Sequence, residues 1–262
     1  MKNDLKIASF ISIICFIGGL FLVPYQLDAM KVMLPEQFEI AMESVTLPFP
    51  VLIFVSAIQL TIVSFIVALI GMKLARKTGF SMPILEALFK REKINVDKHG
   101  IVLAILFGII TALVLAGADR FYYQYKVEII GQSEPKFSLI GLLAGVFYGG
   151  VFEELLMRLF VMSLIIWVIM KVFRKKHSTL NGISYWIAIM IAAALFALGH
   201  LPTTEILFGE LNDTLIIRSF LLNGIGGIFF GYMYWKKGFE YAVLSHMFAH
   251  ISLQCIFIPL LY

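Results

Sequence analysis

The sequence predicts an all-α, polytopic membrane bundle of seven or eight transmembrane helices with a short cytoplasmic amphipathic helix. Three observations predict it. The 262 residues are 60% hydrophobic and only 15% charged, with a mean hydropathy of +0.92. A soluble domain is nearer half apolar and a quarter charged. The apolar residues fall in continuous blocks long enough to cross a bilayer, not in the ten-residue alternating runs of a membrane barrel. The basic residues cluster at alternate ends of those blocks.

The blocks are Ile7–Val23, Pro50–Gly71, Gly100–Ala118, Ser138–Met170, Ile183–Leu201, Leu215–Trp235 and Tyr241–Leu261. The first resembles a signal peptide, but Val23-Pro24-Tyr25 is a poor cleavage pattern, so it reads as a retained helix. The fourth is roughly 50 Å long by helical rise. It is a tilted helix, a protruding one, or two pieces broken near Gly149–Gly150. Gly141, Gly145 and Gly149, and then Gly227 and Gly231, recur every four residues. That spacing lets backbones approach and puts spans four and six at the bundle centre. Between spans two and three, Pro83 opens a segment whose Ile84, Leu85, Leu88 and Phe89 make one apolar stripe. It reads as a helix on the inner leaflet or as an ordinary linker helix.

Lys2 and Lys6, the run Lys73–Lys98, Lys171–Lys176, and Lys236–Lys237 all fall on one side if the N-terminus is cytoplasmic. The opposite loops carry Asp28, Glu36, Glu39 and Glu43, then Glu205, Glu210 and Asp213. The net charge of +4 is thereby explained by lipid-facing anchors and calls for no nucleic acid. The chain reads as one integral domain over residues 1–262, in the cell membrane and of bacterial type. Cys15 and Cys255 lie in separate spans as small apolar fillers.

Ionisable groups inside spans are costly and mark function. Here they form three sets: Glu153, Glu154 and Arg158; His200; and His246 with His250. Glu154 and Arg158 stand four apart and can pair on one helix. Glu153 is turned about 100° from Glu154 and is free for another partner. His246 and His250 share one helix face, a spacing that suits two metal ligands or two hydrogen-bond donors. Carboxylate with imidazole can activate water, and further imidazoles can stabilise an oxyanion. Ser245 beside His246 lacks a nucleophile context. The other readings of these groups are a structural polar network and a proton relay, although no inverted repeat supports a transporter.

Glu153-Glu154-Leu155-Leu156-Met157-Arg158, Phe196-Ala197-Leu198-Gly199-His200 and His246-Met247-Phe248-Ala249-His250 stand in this order on successive helices. Together they resemble the motifs of the CAAX-protease and bacteriocin-processing family (CPBP, also called Abi), which includes the type II CAAX prenyl endopeptidase. The resemblance covers about Gly141 to His250. It implies an intramembrane protease acting on a lipidated, hydrophobic or membrane-protein substrate, or a non-enzymatic bacteriocin-immunity or scaffold protein of the same fold. By motif, it makes Glu153 the base that activates water with His200, Glu154 and Arg158 the support, and His246 and His250 the oxyanion donors. Many members have Asn where this chain has His250. The family pattern implies no resident metal; His200, His246 and His250 are the ligands of the alternative, zinc-dependent site. Counted from the basic ends, Glu153 and His200 lie roughly 25 Å deep and His246 and His250 roughly 10–18 Å. One site therefore requires spans four and five to protrude or tilt.

Overall fold

The computed structural model describes residues 2–262, and every regular element among them is helical. Seven helices are long and apolar enough to cross a membrane. They are α1 (Lys2–Met33), α3 (Phe49–Thr78), α5 (Lys98–Tyr125), α6 (Leu139–Val172), α7 with α8 (Gly182–Phe208), α9 (Asp213–Lys236) and α10 (Phe239–Leu261). Shorter helices accompany them, among them α2 (Pro35–Ser44) in the acidic loop and α4 (Pro83–Lys90) at the basic end. The protein is an integral membrane bundle.

Local chemistry sets where the spans start. The Asp97 carboxylate accepts from Gly100 N, Ser138 Oγ from Gly141 N, Asn181 Oδ1 from Ser184 N, and Asn212 Oδ1 from Leu215 N, each at 3.0–3.1 Å. These caps satisfy amides that have no partner within their own helix.

The fourth block is one unbroken helix and does not divide at Gly149–Gly150. Instead α6 widens into π-helical turns over Gly145–Glu153 and Leu155–Met162. Turns of this kind are uncommon and recur at functional sites. It packs against α1, α3, α7, α9 and α10, so it is the central helix of the bundle. The expected role of the glycines holds on α9, where Gly227 lies against Ala193 of α7 and Gly231 against Ile189. On α6 it is different: Gly145 and Gly149 face the His250 ring.

The basic clusters share one end. Arg76 at the end of α3 pairs with Asp4 at the start of α1 (2.7 Å), and Lys237 after α9 pairs with Asp97 before α5 (2.6 Å). The Lys237 ammonium beside Asp97 holds that carboxyl below its usual range. Helix α4 does not lie with its whole stripe toward lipid. Ile84, Leu85 and Phe89 pack into the bundle and only Leu88 is well exposed. Glu240 of α10 explains the docking, since its carboxylate accepts from Leu85 N in the first turn of α4 (2.7 Å). Cys15 is buried, whereas Cys255 is exposed rather than a core filler; both are free thiols.

Candidate active site

His200 owes its orientation to a helix break. Span five is not a single helix to Leu201. α7 ends at Gly199, and α8 (Leu201–Phe208) restarts with Pro202 in its first turn. Proline disfavours helical geometry in the residue before it and cannot donate to the preceding turn. The backbone N of His200 bonds to Ala197 O, which releases Phe196 O from the regular ladder. The ring takes that carbonyl, with Nδ1 at 2.8 Å from Phe196 O. A carbonyl only accepts, so Nδ1 carries the proton and Nε2 presents a lone pair.

His246 is fixed by a carboxylate. Its Nδ1 lies 2.8 Å from Glu154 Oε1. The same Glu154 has Oε2 3.1 Å from Arg158 Nε, both side chains being essentially inaccessible (0% and 1% exposed). This pair is held by charge without a linear hydrogen bond. Arg158 is further fixed by Nη2 donating to Gly227 O at 3.1 Å, and by the faces of Phe196 and Phe230 at 5.3 and 5.5 Å. Phe230 also stacks on the His246 ring, with centroids 4.5 Å apart.

Glu153 stands between the two imidazoles. Its Oε1 is 3.7 Å from His200 Nε2 and its Oε2 is 3.8 Å from His246 Nε2. Both distances exceed a direct hydrogen bond and leave room for a bridging water. Exposure separates the two carboxylates. Glu154 is sealed, while Glu153 and His200 retain 15% and 31% of their side-chain surface. The sealed carboxylate meets only Arg158 and His246, whereas the open one is accessible from outside the bundle core.

The expected depth mismatch does not keep these groups apart. Spans four and five were expected to protrude or to tilt more than span seven to reconcile it; at the basic end the start of α10 is itself enclosed. Phe239 N donates to Ser81 O (3.0 Å), and Phe239, Tyr241 and Ala242 are buried beside α4. The start of α10 is thus covered by α4 and the segment before it. The helical-phase reading is also corrected in part. Glu154 pairs with Arg158 as expected, yet both carboxylates address His246, one toward each ring nitrogen.

His250 stacks on His246 at 5.1 Å with ring planes 17° apart. A Cβ built on Gly149 would sit 2.6 Å from His250 Nε2, and one on Gly145 would overlap the same ring. The two glycines therefore form the slot that seats His250. Gly149→Ala is expected to displace the ring and cut turnover by about 10²-fold, the scale of a small misplacement at a reacting centre. Gly224→Ala, which meets nothing within 4 Å, should leave turnover unchanged in the same assay.

The candidate ligands of the alternative zinc site, His200, His246 and His250, are not arranged as one ligand set in this geometry. Stacked His246 and His250 rings hold their in-plane lone pairs side by side, His246 Nδ1 is engaged by Glu154, and His200 Nδ1 is engaged by Phe196 O. Among the described residues no group of three or more His, Cys, Asp or Glu side chains is arranged to hold a metal ion. Ser245 is buried with Oγ unbonded among the described residues and its backbone against Gly108 of α5, so it takes no part.

All six residues singled out in the sequence thus come together, from α6, the α7–α8 break and α10. Residues 135–252 match the family model for Rce1-like type II CAAX prenyl endopeptidases. The chain carries an Rce1-like domain. That domain runs from just before α6 into α10 and contains every member of the site, a likeness at family level to CAAX-type intramembrane proteases. No curated protein and no solved structure matches the chain. Beyond the motif residues, the Rce1-like domain builds its site from parts not assigned from the sequence: the Phe196–Phe230 clamp on Arg158, the Gly227 carbonyl, and the Gly145–Gly149 slot.

Proposed function

We propose that the protein is an intramembrane endopeptidase that cleaves a peptide bond in a lipidated or membrane-associated substrate using water activated by Glu153 and His200, without a metal. The observation that carries this reading is the acceptor-only face around Glu153. The carboxylate and the bare Nε2 atoms of His200 and His246 all accept, the two Nε2 atoms standing 3.7 and 3.8 Å from Glu153 Oε1 and Oε2. Such a face calls for a donor between its members, and water supplies two protons. A water donating to Glu153 and His200 keeps its lone pairs free to attack a carbonyl. Glu153 takes the first proton as general base and returns it to the leaving amine. Glu154 holds His246 as an aspartate holds the histidine of a hydrolytic triad, and stabilises the imidazolium formed while Glu153 shares that same water proton with His246 Nε2, 3.8 Å from its Oε2, before the proton returns through Glu153 to the leaving amine. In that form Nε2–H donates to the oxyanion, with His250 beside it as a second donor.

The test is cleavage of a prenylated peptide by the purified full chain in liposomes, with and without a zinc chelator. Cleavage unchanged by the chelator, and a preparation free of stoichiometric zinc, are expected. Loss of cleavage restored by added zinc would refute the metal-free mechanism. Absence of cleavage with a correctly folded protein would favour the non-enzymatic immunity or scaffold role.

A further inference from the structure

At the basic end, the end of α3 and the end of α6 enclose an open cavity of about 550 Å³ lined by Lys77, Trp167, Met170, Lys171, Arg174 and Lys175. Trp167 follows Glu153 by fourteen residues, roughly 20 Å along a helix, so the cavity is separate from the catalytic centre. Its four cations have no carboxylate partner among the described residues, although ion pairs form nearby at Arg76 and at Lys237.

Helix ends attract cations because their last carbonyls are unsatisfied, but here the backbone meets that need itself. Arg174 adopts a left-handed conformation (φ 51°), and Lys175 N donates to Met170 O at 2.9 Å. Phe173 N donates to Ile169 O at 3.0 Å, and beyond α3 Phe80 N donates to Ala75 O at 3.0 Å. The charged heads are therefore not taken up by the helix ends, and the Lys171 ammonium lies over the Trp167 ring on the cavity wall at 5.7 Å. A non-glycine residue in the left-handed region costs free energy, and at position 174 it turns the chain so that Arg174 and Lys175 join the cavity wall.

The surroundings identify the occupant. Val168, Val172 and Phe173 beside the cavity are exposed, as are Ile66 and Ile70 on α3, so the cavity opens on apolar, lipid-facing surface. Trp167 on its wall suits the head-group level, where tryptophans concentrate. The geometry points to a binding site for the phosphate head group of an anionic phospholipid, with the acyl chains lying along α3 and α6. Cations without a counter-ion take the phosphate, and the neighbouring apolar surface takes the chains.

Native mass spectrometry of the detergent-purified full chain, titrated with equimolar phosphatidylglycerol and phosphatidylcholine, tests this assignment. Phosphatidylglycerol adducts should dominate, and should persist in a large excess of inorganic phosphate. Lys171→Gln/Arg174→Gln should lower that preference roughly fivefold for each cation removed. Lys77→Gln/Lys175→Gln should act alike, and Lys236→Gln, outside the cavity, should retain the full preference. Equal retention of the two lipids, undiminished preference in both double variants, or displacement by inorganic phosphate would each overturn it. The last result would assign a soluble-phosphate site instead. None of these readouts depends on proteolysis, so the outcome stands apart from that of the proposed activity.

Discussion

Glu153→Gln is expected to lower the rate of peptide cleavage by about 10²–10⁴-fold, the range associated with loss of a positioned general base. Glutamine preserves the shape between His200 and His246 but has no carboxylate to take a proton from water. Substrate binding should be little affected, because Glu153 acts on the water and not on the remote parts of the substrate. The loss should appear in kcat with KM nearly unchanged. Folding should survive, since Glu153 is partly exposed and makes no short bond to either histidine. A cleavage assay paired with thermal unfolding separates these effects. Activity near the parent level would remove Glu153 from the mechanism.

Arg158→Leu is expected to cost about 3–5 kcal/mol of stability, the cost of breaking a buried ion pair by removing one partner. Arg158 is sealed, and its loss strands Glu154 without its counter-charge and removes the side-chain donor to Gly227 O. It also empties the space between Phe196 and Phe230. Glu154→Gln/Arg158→Leu should recover part of the stability, because no uncompensated charge remains. It should not recover activity, because His246 has lost the carboxylate that holds its Nδ1. Unfolding midpoints in detergent measure both variants. By contrast, the Arg76–Asp4 pair at the bundle end is solvent-exposed on the arginine side (42%). Arg76→Gln should therefore change stability by no more than about 1 kcal/mol.

The spans were legible because the hydrocarbon thickness dictates their length and apolarity, and the chain obeys that rule in seven places. The site residues were legible because burying ionisable groups is expensive, so Glu153, Glu154, Arg158 and the three histidines stand out against their spans. Their mutual arrangement was not legible. An ideal 3.6-residue helix assigns Glu153 and Glu154 to different neighbours, whereas π-helical turns and the position of α10 bring both to His246. The Pro202 break could have been anticipated, since proline restricts the residue before it, but hydropathy alone runs the span through His200. The glycines at 145 and 149 gave a signal of close packing and no signal of what packs there. That the partner is an imidazole follows only from the pairing of α6 with α10. The covered start of α10 depends on Ser81 and on the Leu85–Glu240 bond, whose α4 side is distant in sequence from the motifs it serves.

In the proposed mechanism Glu153 and His200 act as one unit on a single water. A double-mutant cycle on kcat, with Glu153→Gln, His200→Ala and the two combined, tests it most directly. One water-activating unit predicts that the double variant is no slower than the slower single variant, within a few fold, because either change already disables the unit. Multiplication of the two single losses in the double variant would mean independent roles and would contradict a shared site.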